Sequence, residues 1–182
     1  MSNSYPFVVS SDEFKGKRVL VTGGTKGIGA AIVRRFELSG ASVATTARSE
    51  PAAGQAPALS IKADLGTARG VQSVVDRIQQ AWGGLDVLVN NVGGTETKPG
   101  GFDALSDEDW HRILEVNLLA AVRLDRAFIP GMIERKSGVV IHISSIAHRL
   151  PFPNSTLCGT QKISSGSHLT EILVLSCSAS AG

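Results

Sequence analysis

Hydrophobic positions follow two different spacings along this chain. Residues 18–21, Arg18-Val19-Leu20-Val21, form a short apolar, β-branched run that ends in a glycine cluster and predicts a buried strand. From 28 to 39 apolar residues recur every four positions, at Ile28, Ile32 and Phe36, until Gly40 stops what reads as a helix. Residues 43–47 and 58–62 read as two further strands, separated by a loop at 50–57 that carries proline, alanine and glycine. Val71, Val74, Val75, Ile78 and Trp82 line one face of a second helix, closed by Gly83-Gly84, and a fourth strand comes next at 87–89. A long helix is expected from Ser106, whose spacing to Asp109 suits a capping box. Its apolar stripe is Trp110, Ile113, Leu114, Leu118, Ala121 and Phe128, and Pro130 is expected to bend its last turns. A fifth strand falls at 139–143.

Strands that alternate with amphipathic helices imply parallel βαβ units with right-handed crossovers. The expected fold class is therefore α/β: a doubly wound parallel sheet, Rossmann-like, in three layers. Residues 1–16 read as a polar leader and 17–157 as the dinucleotide-binding domain. Residues 158–182 form an atypical tail rich in Ser, Gly and Ala, with one apolar patch at 172–175 and no clean helical stripe. The sheet is accordingly expected to be incomplete on its C-terminal side.

Composition narrows the function classes. The 182 residues suit one domain, and 42% hydrophobic with 19% charged residues describes a globular chain rather than a disordered one. A net charge of +2, with scattered basic residues, gives no ground for nucleic-acid binding. The two cysteines, Cys158 and Cys177, have neither metal-ligand spacing nor the look of a disulfide framework. No apolar run reaches the roughly 18 residues needed to span a bilayer, and no secretory signal is apparent, so a cytoplasmic protein with a small-molecule ligand is expected.

The candidate chemistry lies in Thr22-Gly23-Gly24-Thr25-Lys26-Gly27-Ile28-Gly29. A strand that ends in a glycine turn and enters a helix points backbone N–H groups at one spot, and the helix N-terminus adds partial positive charge there. Glycine at 23, 27 and 29 would let a pyrophosphate approach the bare backbone. The spacing is G-x-x-x-G-x-G, unlike the standard dinucleotide fingerprint. An acid that would hold the ribose hydroxyls of NAD is missing after the second strand, where Thr45-Thr46-Ala47-Arg48 stands instead. Arg48 could fork onto a 2′-phosphate, and Lys26 would add a second positive charge. The pair favours NADP(H) over NAD(H).

Taken together, these residues resemble the short-chain dehydrogenases/reductases, over about residues 15–157. Residues 22–29 are similar to that family's TGxxxGIG turn, which implies cofactor contacts from Gly23, Thr25, Lys26, Gly27, Ile28 and Gly29. Asp64-Leu65 resembles its acid after the third strand, whose carboxylate contacts adenine. Asn90-Asn91-Val92-Gly93 resembles its NNAG motif, so Asn91, Val92 and Gly93 join the cofactor set. Asn117 matches the asparagine of the long helix, and Ser145 matches the catalytic serine that polarises the substrate carbonyl. The resemblance implies hydride transfer between the nicotinamide and a carbonyl or alcohol carbon, with a Y-x-x-x-K pair moving the proton. Here the only tyrosine is Tyr5. Counting about thirteen residues from Ser145 puts Cys158 at the tyrosine position and Lys162 at the lysine position, and a spacing one longer puts Gly159 and Ile163 there; a thiol is too short to give hydrogen-bond reach. The resemblance also implies dimers or tetramers built through the long helix and the tyrosine helix. With the second of these disrupted, the expectation is a truncated or frame-altered member, and the alternative to an active oxidoreductase is a silent dinucleotide-binding protein.

Overall fold

A computed structural model describes residues 10–49, 57, 59–94, 101–144 and 172–178, the last by its backbone alone. Strand β1 (Arg18–Thr22) leads through the glycine turn into helix α1 (Gly27–Leu38), then β2 (Ser42–Ala47) and β3 (Leu59–Lys62). Helix α2 (Ala68–Trp82) and β4 (Val87–Asn90) come next. The long helix is α3 (Asp107–Leu114), a π turn over Glu115–Leu119, and α4 (Ala120–Glu134), before β5 (Ser137–Ile143) and β6 (Ile172–Ser178). The strands form one sheet in the order β3-β2-β1-β4-β5-β6. The first five are parallel, with Leu20 opposite both Ala44 and Leu88, and Leu88 opposite Val140.

The three layers result from strand alternation. On one face Val19, Val21, Val43 and Val89 pack with Val33 and Phe36 of α1. On the other, Leu20, Ala44, Leu88 and Val140 meet Val74 and Ile78 of α2 and Leu124, Phe128 and Met132 of α4. The core thus lies on both sides of β1 and β4, strands whose near-continuous apolar runs suit a doubly covered sheet. Arg18 locks the N-terminal end. Its guanidinium grips Asp86 with bonds of 2.9 and 2.7 Å and donates to the Trp82 carbonyl at 2.8 Å. The backbone N–H of Arg18 adds a bond of 2.9 Å to the same carboxylate. This charge-assisted donation holds the Asp86 carboxyl below its ordinary pKa. Phe14, from the leader, packs edge-on to Phe36 with ring centroids 4.9 Å apart.

Two helical stripes differ from the sequence expectation. In α1 the buried face is Gly29, Val33 and Phe36, while Ile28 is 59% exposed. The first turn of α1 sits past the end of β1, so Ile28 has no sheet beneath it. In the long helix the capping box at Ser106 and Asp109 is present as expected. The buried stripe, however, runs Ile113, Ala120, Leu124, Phe128 and Met132, and Leu118 is 41% exposed. The π turn carries an extra residue per turn and re-phases the helix beyond it, so four-residue steps start from Ala120 rather than Leu114.

Strand β6 is the other difference. It pairs antiparallel with β5, Ile143 opposite Ile172 and Ser137 opposite Ser178. Its apolar patch has no period that distinguishes a strand from a loop, and an antiparallel neighbour needs no crossover helix to announce it.

Candidate functional site

β1 pairs with β2 on one side and β4 on the other, so the chain leaves these strands in opposite directions and opens a crevice at their C-terminal ends. A cavity of about 700 Å³ occupies it, of the size that small-molecule and cofactor sites take. Its walls include Gly23, Thr25 and Lys26 from the glycine turn, Arg48 after β2, Asp64 and Leu65 after β3, and Val92 and Gly93 after β4. Eight residues named from four separate stretches of sequence therefore converge on one space.

The glycine turn is held by Thr22 and Asn91 of the motifs above and by two strand threonines that the sequence pattern does not single out. Thr45 in β2 accepts from the Gly24 N–H at 2.8 Å and donates to the Val21 carbonyl at 2.9 Å. Thr46 accepts from the Gly23 N–H at 3.2 Å. The Thr22 hydroxyl accepts from the N–H groups of Asn91 and Val92, both at 2.9 Å. The Asn91 amide donates back to the Thr22 carbonyl at 2.8 Å, and so stitches β4 to the turn. Thr45 and Thr46 are buried polar residues in an otherwise apolar strand, which is the signal that could have found them.

The glycines serve different purposes. A Cβ on Gly29 would lie 2.3 Å from the Gly23 carbonyl, and one on Gly24 would lie 2.3 Å from the Thr45 hydroxyl. Those two are glycine because protein packs against them, not because a ligand does. Gly27, at φ +54°, has nothing within 4 Å of its would-be Cβ and faces open space. The positive φ by itself favours glycine at 27, and close packing against protein accounts for Gly29. Helix α1 has no side-chain cap at Lys26 and no acid in its first turn, so its first N–H groups lack the partners a cap would provide. Lys26 and Arg48 are exposed, and neither makes an ion pair with any described residue.

Opposite the turn, the Asp64 carboxylate accepts from the Gly66 N–H at 3.0 Å and shapes the loop into α2. Leu65 is buried in the core and also lines the cavity. Asn117 sits in the π turn, where its amide donates to the carbonyls of Ile113 at 3.1 Å and Gly94 at 2.9 Å. Its oxygen accepts from the Gly94 N–H at 3.0 Å. A half-buried amide thereby finds partners and ties the loop after β4 to the long helix. Ser145, Cys158 and Lys162 lie outside the described residues.

A second polar group lies at the ends of β4 and β5. Asn90 donates to Asp125 at 2.9 Å, and His142 approaches the same carboxylate at 3.4 Å. Burial pushes the Asp125 carboxyl above its ordinary pKa, against the opposing pull of His142 and of the Asn90 hydrogen bond. Sequence pattern could not show this trio because its members are far apart in the chain. Among the described residues no group of three or more His, Cys, Asp or Glu could hold a metal, and no helix is long and apolar enough to cross a membrane.

Comparison with known proteins agrees with this geometry. The family model for short chain dehydrogenases matches residues 17–173. The chain belongs to the short-chain dehydrogenase family. It is 36% identical over 175 residues to a short chain dehydrogenase of Pseudocercospora fijiensis, covering 89% of this chain and 56% of that protein. It is 35% identical over 177 residues to 3beta-hydroxysteroid dehydrogenase 1 of Eggerthella lenta, covering 90% of this chain and 66% of that one. Among solved structures, L-sorbose reductase from Gluconobacter frateurii, complexed with NADPH and L-sorbose, superposes with a TM-score of 0.77 at 31% identity. The match covers 84% of this chain and 61% of that one. A metagenomic short-chain oxidoreductase in complex with NADP gives 0.73 at 34% identity, over 82% of this chain and 72% of that one. The chain thus spans a little over half to two thirds of the length of these curated relatives.

Proposed function

We propose that the chain binds NADP(H) in the crevice at the ends of β1 and β4, as an oxidoreductase of the short-chain type acting between NADP(H) and a carbonyl or alcohol. The observation that carries this is the start of α1. Uncapped N–H groups, an open Gly27 and no acidic side chain in the first turn suit a pyrophosphate. Lys26 and Arg48, both without an ion-pair partner among the described residues, suit a 2′-phosphate beside it. The solved relatives bound to NADPH and NADP support the same preference. Asp64 on the facing wall suits the adenine end.

A bound nicotinamide supplies a hydride to the carbonyl carbon, and the protein then has to deliver a proton to the oxygen. By family resemblance Ser145 holds that oxygen, and Asn117 supports the proton path through its fixed amide. Lys162 would hold the ribose, and Cys158 would stand where the proton donor belongs. The second reading, a dinucleotide-binding protein without turnover, rests on one fact: the only tyrosine is Tyr5. Titration of NADPH and NADH by nucleotide fluorescence, followed by a reduction assay over a panel of ketones, tests both. Binding with turnover supports the oxidoreductase, binding without turnover supports the silent protein, and no binding of either nucleotide refutes both. Arg48→Ala should erase a preference for NADPH of about ten-fold or more, the worth of one charge-assisted hydrogen bond.

A further inference from the structure

The cavity has three basic side chains in its walls, Lys26, Arg48 and Arg112. Their electrostatic settings differ. Lys26 and Arg48 stand at the turn and at the end of β2, without an ion pair among the described residues, as an anion site requires. Arg112 rises from α3 on the far wall and is paired with Asp109. Asp109 is 1% exposed and already fixed by the capping box, where it accepts from the Ser106 N–H at 2.9 Å and hydroxyl at 3.1 Å. The charge of Arg112 is therefore balanced by a carboxylate that cannot move away, while its guanidinium stays half exposed on the cavity side.

A neutralised, planar, pre-positioned guanidinium is a poor phosphate ligand and a good aromatic partner, because Arg stacks on ring faces and is weakly hydrated. Its neighbours fit that use. Ile113 and Val116 from the same helix and Leu65 and Gly66 from the loop after β3 line the adjoining wall. Gly66 lies close enough to Val116 that a Cβ there would approach its side chain to 2.9 Å, so the slot between loop and helix is narrow. A flat, uncharged heteroaromatic ring matches this end of the cavity.

We infer that Arg112, held by Asp109, is a specificity-determining residue that covers the adenine ring of the dinucleotide. The inference rests on the cofactor reading above and adds a division of labour. The two unbalanced cations read the phosphates, and the balanced one reads the base.

The test measures affinities of the full chain for NADPH, NADH and adenosine diphosphate ribose by calorimetry. Arg112→Lys keeps a cation for Asp109 and removes the planar fork. Arg112→Met removes the cation as well, and circular dichroism reports whether each variant folds. The expected result for Arg112→Lys is a loss of about three- to ten-fold for all three probes alike, because lysine keeps the charge but has no planar face to stack on the ring. Unchanged affinities in Arg112→Lys overturn the inference. A loss confined to NADPH also overturns it, because that pattern makes Arg112 a phosphate ligand. Failure of the unaltered chain to bind any probe instead sinks the cofactor reading of the whole cavity.

Discussion

Thr45→Val probes the support of the glycine turn with almost no change in volume. The Thr45 hydroxyl sits between the Gly24 N–H, 2.8 Å away, and the Val21 carbonyl, 2.9 Å away. Valine places a methyl group there, which can neither accept nor donate. Both Gly24 and Thr45 are buried, and a would-be Cβ on Gly24 already collides with its neighbours, so water has no room to replace the hydroxyl. Leaving a buried N–H without its acceptor costs about 1–3 kcal/mol, and the lost donation to Val21 adds about 0.5–1.5 kcal/mol. The expected total is about 1.5–4.5 kcal/mol, a sizeable part of the ~5–15 kcal/mol that holds a typical domain together. Urea unfolding should read it as a lower midpoint at unchanged slope, and thermal unfolding as a fall of about 2–4 °C per kcal/mol for a chain of this size. Thr45→Ser keeps the hydroxyl and should recover most of the loss. A Thr45→Val change below about 0.5 kcal/mol, or a serine variant no better than valine, would refute the claim that this hydroxyl bears the turn.

Other outcomes stem from the same geometry. Gly29→Ala forces a Cβ to 2.3 Å from the Gly23 carbonyl, so the turn must open, and nucleotide fluorescence titration should show dinucleotide affinity falling at least ten-fold. Asn117→Ala frees the Gly94 N–H and carbonyl together; Gly94 is exposed, so water replaces the amide and the cost in urea unfolding should be only about 0.5–1.5 kcal/mol, with faster hydrogen exchange at Gly94. Arg18 holds the Asp86 carboxyl below its ordinary pKa, so this pair stabilises the fold above the ordinary carboxylate range and loses that contribution as pH falls through the lowered value. Asp86→Asn should therefore be less stable at pH 7, by about 1–3 kcal/mol, and should show a shallower fall between pH 5 and 2 when followed by circular dichroism.

Much of this molecule is written in local pattern. Short apolar runs placed five strands and four-residue spacings placed the helices, because a strand covered on both faces is apolar throughout and a helix buried on one face repeats its apolar residues at its own pitch. Parallel order was legible as well, since βαβ crossovers leave few alternatives. The glycine turn could be named from its setting between a strand and an amphipathic helix, and Asn117 from its place on an apolar helix face, whereas Asp64 and Val92 were named through the family resemblance.

Tertiary structure alone decided who touches whom across the sheet. Gly29 looks like a ligand-facing glycine in sequence, yet the Gly23 carbonyl and the Asn91 amide occupy the space beside it. Thr45 and Thr46 look like ordinary strand residues until β2 lies against β1. Arg112 reads as a surface charge until α3 lies along the cavity. The direction of β6 is likewise a matter of pairing and not of composition. Periodicity reports the environment of one segment, whereas a hydrogen bond or close contact between distant segments depends on where the whole sheet brings them. Local pattern therefore located the glycine turn, and only the assembled sheet showed what holds it in shape.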